Sequence, residues 1–402
     1  MTETTAAEKK LAPSIGWMHY ALGLAGLGTA LLGPILPLLA RQWAMQDTQS
    51  GLLMTAKFCG AFLGGMSVAK DLRRSMVLGM VAGLAGFGGF ALAVTMAGGM
   101  ALGSVGLFVG GFGLGQLIAS TNILAGRRFT RLRGSALARL NFSFSLGAML
   151  SALLAAWLLP LFELTHILEG FAATFALGAA WLLMELKGSV VEKIPDGVEG
   201  GSGDEVGTAA ATGLSGRVYL YFAGLLILYG GLETSLSGWL TTYALRYGDK
   251  ALVWSEYTTL LLWMSLTFGR AGASVIMLRV GERVVQRWAL GLSALFTAGL
   301  ALAHSAWVIA GCAVLLGLSL APFFPATFAL MMAERPTARQ AGIVLAVSGL
   351  GAAALPWMMG AVSTATGSLQ VALALPFAAA LALLVMAWVR RSGGEAVTPV
   401  AR

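Results

Sequence analysis

The chain has 402 residues, 57% of them hydrophobic and only 11% charged, with a formal net charge of +8 and a mean hydropathy of +0.81. Soluble domains carry about 25% charged residues, so this composition excludes a soluble protein. Two cysteines and three scattered histidines leave neither a disulfide framework nor metal-ligand spacing.

Apolar runs recur from residue 15 to residue 390. They predict twelve membrane-spanning helices, at 15–40, 50–69, 75–97, 100–125, 135–160 and 167–186, then 218–245, 255–278, 285–304, 306–332, 340–361 and 369–389. Each is long enough to cross a hydrocarbon core of ~30 Å. The first run ends without a small-residue cleavage site and reads as a retained helix. The 54 glycines fit a bilayer, where small residues let helices pack closely.

Between the sixth and seventh spans, residues 187–216 form the one long polar connection, Gly-rich and acidic, and read as a flexible linker. The expected organisation is therefore a tail (1–14), a six-helix bundle (15–186), the linker (187–216), a second six-helix bundle (217–390) and a tail (391–402). Of the 26 Lys and Arg residues, 21 fall on the side of the two chain ends, three on the other side, and two, Lys57 and Arg270, inside spans. That asymmetry predicts both termini in the cytoplasm and explains the net charge without any nucleic-acid partner. The expected location is the plasma (inner) membrane.

Polar residues inside the spans are the candidates for function, because an intramembrane ionisable group costs roughly 2.5–3.5 kcal/mol on insertion scales. Lys57 lies in span 2, as a counter-ion or a contact for an anionic substrate. Gln116 and Asn122 in span 4 and Asn141 in span 5 are amides suited to sugar hydroxyls or to joining helices. Arg139 at the start of span 5 and Arg270 in span 8 suggest gating.

Glu233, in span 7, reads as the only acid well inside an apolar run, within Tyr229-Gly-Gly-Leu-Glu233-Thr-Ser-Leu-Ser237-Gly-Trp239-Leu-Thr-Thr-Tyr243. Tyr229, Glu233 and Ser237 share a helix face by their spacing of four. Trp239 and Tyr243 form a second such pair, suited to stacking on a pyranose or to the aromatic belt of a membrane interface. Pro322 and Pro325 predict a bend in span 10. There is no phosphate-binding G-x-x-x-x-G-K-[ST] loop and no catalytic set, so neither a cofactor nor an enzymatic activity is expected.

Over nearly its whole length the chain resembles the major facilitator superfamily of transporters. Gly33-Pro-Ile-Leu-Pro37 ends span 1 in that family's manner. The loop Ser67-Val-Ala-Lys70-Asp71-Leu-Arg73-Arg74 keeps the acid and the basic pair of the family's loop motif but not its glycines; its repeat, Leu278-Arg279-Val-Gly281-Glu-Arg283, has Leu278 in place of the acid. The resemblance implies a gating role for Asp71, Arg73 and Arg74.

Within the superfamily the chain is most similar to the fucose–proton symporter and hexose permease branch. That resemblance rests on Gly113-Leu-Gly115 with Asn122, Ala136-Leu-Ala-Arg139-Leu-Asn141-Phe-Ser-Phe-Ser-Leu-Gly147-Ala148, Trp263 with Gly269-Arg270, Gly317-Leu-Ser-Leu-Ala-Pro322-Phe-Phe-Pro325, and Gly349-Leu-Gly351 to Pro356-Trp357. Carboxylates that this branch places in spans 1 and 4 are replaced here by Gly33 and Ile118.

The resemblance implies an all-α fold of two six-helix bundles, rocking about a central cavity lined by spans 1, 4, 7 and 10. It implies secondary transport of a neutral monosaccharide with a proton, with Trp263 joining the substrate contacts; because Gly33 and Ile118 stand where the branch has its acids, its proton pathway does not carry over, and Glu233, the deep acid that is left, is the expected coupling group. The partners implied are a small-molecule substrate, a coupling ion and the lipid bilayer, with the protein working as a monomer. The alternatives are export of an amphipathic or lipid-like compound and, more remotely, a membrane sensor or scaffold that moves no substrate.

Overall fold

Some helices in this chain begin where a polar side chain serves the free amides of a first turn. Ser14 Oγ accepts from Trp17 N (3.1 Å) and Asp71 from Arg73 N (3.1 Å), while Gln49 Oε1 accepts from Gln46 N (2.8 Å). The computed structural model describes residues 13–69, 71–96, 99–128, 133–187, 213–248, 252–277, 279–334, 336 and 338–389. Most of the expected linker (188–212) and tails (1–12, 390–402) lie outside the described residues.

The described chain is all helical: α1 (Ile15–Ala30), α2 (Leu32–Gln42), α3 (Asp47–Met66), α4 (Leu72–Thr95), α5 (Met100–Arg128), α6 (Arg133–Leu158), α7 (Leu164–Lys187), α8 (Gly216–Tyr247), α9 (Leu252–Ile276), α10 (Glu282–Ala301), α11 (Ala306–Leu320), α12 (Phe323–Ala333), α13 (Ala338–Ala346), α14 (Ser348–Thr366), α15 (Leu369–Ala372) and α16 (Ala374–Val389). These segments build twelve spans. Span 1 is α1 with α2, span 10 is α11 with α12, span 11 is α13 with α14, and span 12 is α15 with α16; the others are single helices.

The interruption expected in span 10 falls at Ala321 and Pro322, between α11 and α12. Proline removes an amide donor and crowds the preceding turn. At the end of α14, Gly367 adopts φ +70°, a left-handed conformation that glycine enters without a Cβ penalty.

Among the described residues, ten spans are long and apolar enough to cross a membrane on those grounds alone. The two that fall short, spans 2 and 8, are those that carry Asp47 with Lys57 and Glu256 with Arg270.

Spans 1–6 and 7–12 form two bundles. Backbone approach sets the packing of the first: Gly60 and Gly64 of α3 face Gly111 and Gly115 of α5 so closely that a Cβ at any of the four would strike the partner's main chain, the small-xxx-small pattern of membrane helices. The bundles meet through α3 against α14, α6 against α9, and α2 against α8. At the last junction a Cβ on Gly33 would lie 2.6 Å from the Ser237 carbonyl oxygen. Below, the face holding Pro13 and Val389 is the terminal face, and the opposite one the far face.

Candidate functional site

Glu233 occupies the middle of α8, where the two bundles meet. Its Oε1 accepts from Arg270 of α9 at 3.2 Å. Arg270 turns its other terminal nitrogen to Ser145 Oγ of α6, 2.7 Å away, and Thr267 Oγ1, one turn earlier, reaches the Ser145 backbone oxygen at 3.3 Å. One guanidinium therefore ties a carboxylate of the second bundle to a hydroxyl of the first. Both partners of the pair are mostly buried, with 17% of the Glu233 side chain and 22% of the Arg270 side chain exposed. Removing either charge would leave the other buried without compensation.

Tyr229 completes this cluster. Its ring stacks on Phe323 (centroids 4.5 Å apart, planes at 18°), and its hydroxyl adjoins Glu233 and Arg270. The hydroxyl also reaches the carbonyl of Leu320 at 3.4 Å. Leu320 is the last residue of α11, so the break in span 10 both frees that carbonyl and sets the Phe323 ring against Tyr229. Ser237, on the same face of α8, donates within its own helix to Thr234 O (3.4 Å).

Lys57 does not meet Glu233 in this arrangement. It is 3% exposed, donates to the Thr29 carbonyl at 2.5 Å and lies over the Phe58 ring at 4.6 Å. No carboxylate pairs with it among the described residues. Arg270, expected at a gate, is the cation that holds Glu233.

The other amides and aromatics are distributed. Gln116 is 1% exposed and donates to Ser67 Oγ at 3.0 Å, joining α5 to the end of α3. Asn122 donates to Ile118 O of its own helix. The side-chain carbonyl oxygens of Gln116 and Asn122, the indole N–H of Trp263 and Nε of Arg270 are all buried without a hydrogen-bond partner. Asn141 and Arg139 are exposed.

Trp239 and Tyr243, expected to flank a sugar or to sit in an interfacial belt, are each 1% exposed. Trp239 donates to Pro356 O (3.0 Å) and Tyr243 to Leu300 O (2.8 Å). Both rings are committed to the interior of the second bundle, and the aromatic faces beside Glu233 belong instead to Tyr229 and Phe323.

Toward the terminal face, Asp71 is exposed and serves as the N-cap of α4; Arg73 and Arg74 form no ion pair among the described residues. The tight lock lies at the far face and rests on residues the sequence did not single out. Arg246 of α8 grips Asp47 of α3 with two bonds of 2.5 and 2.6 Å, the forked geometry that makes Arg–carboxylate pairs strong. Ser363 of α14 donates to the same carboxylate at 2.5 Å, and Thr48 N to Thr364 Oγ1 at 2.9 Å. Nearby, a cleft of about 700 Å³ lined by Leu38, Arg41, Gln42 and residues 159–164 opens at the far face, away from Glu233.

Glu256 was also missed. Read from the sequence it stands two residues into span 8; α9 begins at Leu252, and Glu256 is 0% exposed. Glu233 is therefore not the only deep acid. The signal available was the spacing of seven that sets Glu256, Trp263 and Arg270 along one stripe.

The Major Facilitator Superfamily profile matches residues 19–341, and the chain belongs to that superfamily of membrane transporters. Among solved structures the fold is similar to the transporter FucP in its outward conformation (TM-score 0.62, 16% identity, covering 94% of this chain and 98% of that one). It is also similar to the xylose transporter XylE of E. coli in a partially occluded inward-open conformation (TM-score 0.72, 12% identity, covering 94% and 98%). Among curated sequences, the 4-hydroxybenzoate transporter PcaK of Acinetobacter baylyi is 27% identical over 175 residues, 42% of this chain. That match spans 36% of the relative's own length.

Proposed function

We propose that this protein is a secondary active transporter that imports a neutral monosaccharide with a proton by alternating access, with Glu233 as the coupling group. The observation that carries the reading is the Glu233–Arg270–Ser145 chain across the bundle interface. Protonating Glu233 removes the charge that holds Arg270 and so changes how strongly span 8 is tied to span 5. Substrate and proton then bias the same junction, which is the requirement for coupling.

A polyhydroxylated ligand would find hydrogen-bond partners in the buried polar atoms that Arg270, Trp263, Gln116 and Asn122 leave unbonded. A solved D-xylose–proton symporter that shares the fold (TM-score 0.69, 14% identity) supports the same reading. In this proposal both termini face the cytoplasm and the far face looks outward, a reading supported by the 21-to-3 distribution of Lys and Arg. The deciding experiment is uptake of labelled hexoses into proteoliposomes with and without an inward proton gradient. Gradient-dependent accumulation supports the proposal; the absence of any hexose uptake refutes it.

A second reading is favoured by Lys57. An ammonium with 3% exposure and no carboxylate partner suits an organic anion, and the PcaK match gives an aromatic carboxylate as the first anion to try. Uptake of 4-hydroxybenzoate that Lys57→Gln abolishes would select this reading over the sugar.

A further inference from the structure

We propose that Glu256 is a second proton-accepting group of the transport cycle, charged from the far side and set on the same stripe of span 8 as Arg270. This rests on the reading of the protein as a proton-coupled transporter with its far face outward. Both carboxyl oxygens of Glu256 are buried without a hydrogen-bond partner, and the residue is 0% exposed. A carboxyl group kept for structure alone would be bonded to something, since an unpaired buried polar group destabilises the fold whether or not it is ionised. Among the described residues Glu256 has neither a donor for its anion nor an acceptor for its acid form. Its arrangement makes sense as one half of a cycle whose other half brings water to it.

Geometry places it in line with the chemistry. Glu256, Trp263 and Arg270 follow at intervals of seven, so they run along one side of α9 with about 10 Å between neighbours. Trp263 Nε1, halfway along, is also buried and unpartnered. Thr259, on an adjoining line, is already bonded to Thr241 of α8 at 2.8 Å.

The helices packed against α9 supply little charge at this level. On α8 there are Tyr243, Arg246 and Tyr247, on α2 Arg41, and on α11 Cys312; residues 146–158 of α6 contain no ionisable side chain. Arg246 is held by Asp47, and Tyr243 donates to Leu300 O. None of these groups bonds to Glu256. When the far face opens, a proton from the external solution forms one O–H bond on the Glu256 carboxylate, whose charge falls to zero. Closure then buries the neutral group as it stands here.

The test compares wild type with Glu256→Gln and Glu256→Asp in proteoliposomes, and adds infrared difference spectra recorded on stepping the pH without substrate. Glu256→Gln is expected to lower gradient-driven accumulation on the order of tenfold, the scale of a coupling between two sites, while counterflow exchange persists and shows the variant to be folded. Glu256→Asp is expected to retain coupling with a displaced dependence on external pH. The spectrum should lose one protonated-carboxyl band in Glu256→Gln. That readout needs no substrate, so it stands even if the sugar assignment fails. A wild-type pH profile and an unchanged spectrum in Glu256→Gln would overturn the proposal, as would accumulation driven by sodium alone.

Discussion

At the residue scale the account rests on one ion pair with two duties. Arg270 holds Glu233 within the second bundle and Ser145 across the interface. Glu233→Gln keeps the shape and removes the charge, so it should abolish proton-driven accumulation while leaving exchange largely intact. Arg270→Ala instead strands a buried carboxylate and should lower stability by about 3 kcal/mol, read as a fall in the melting temperature of the purified protein. Combining the two changes should recover part of that loss, because the stranded charge is gone. Full additivity in the double variant would mean that the two side chains do not act as a pair.

What the sequence revealed at this scale follows from cost. Glu233 was legible because an acid far inside an apolar run is costly and has to be held by a partner or used. Glu256 and the Asp47–Arg246 pair were not: near a span end, a charge usually reaches water, and only the packing shows that Asp47 and Glu256 are buried. Trp239 and Tyr243 failed for the opposite reason. Helical spacing places two rings on one face, but it does not say whether that face turns to the bundle interior or to the interface.

At the element scale, close approach decides what each helix can carry. Gly33 lets span 1 press against the Ser237 carbonyl of span 7, so any side chain placed here, a carboxylate included, would collide with the backbone. Gly33→Val is expected to reduce the yield of folded, monodisperse protein or, where it folds, to slow exchange severely; a variant with wild-type yield and transport would remove the claim that this contact is required.

Span positions were legible because each run of apolar residues exceeds the membrane thickness, but several helices begin three residues earlier than expected, as at Asp47, Leu72, Leu164, Leu252 and Glu282. At Asp47, Leu72, Leu164 and Glu282 the first turn holds polar residues that extend past the apolar core, and hydropathy alone trims it away. The bend in span 10 was readable from Pro322 and Pro325; its use, presenting Leu320 O and the Phe323 ring to Tyr229, was not, since it depends on a helix 91 residues distant in sequence.

At the scale of the whole molecule, the two bundles are fastened at the far face by Asp47, Arg246, Ser363, Thr48 and Thr364, and lower down by Arg270 on Ser145. A transporter that works by alternating access must break the first fastening to admit substrate from that side. Asp47→Asn should therefore favour opening of the far face. In a background with Cys59 and Cys312 replaced by serine, a cysteine introduced by Met54→Cys, now facing Gly238, should react with a membrane-impermeant maleimide about fivefold faster or more once Asp47→Asn is added. An unchanged rate would show that the lock does not control access.

The most direct test of the central claim measures proton-driven accumulation by wild type and Glu233→Gln side by side. Both are reconstituted and offered labelled hexoses and, separately, labelled 4-hydroxybenzoate. The account predicts that wild type concentrates one substrate only under an inward proton gradient, and that Glu233→Gln exchanges the same substrate without concentrating it. Accumulation by Glu233→Gln equal to that of wild type would contradict it.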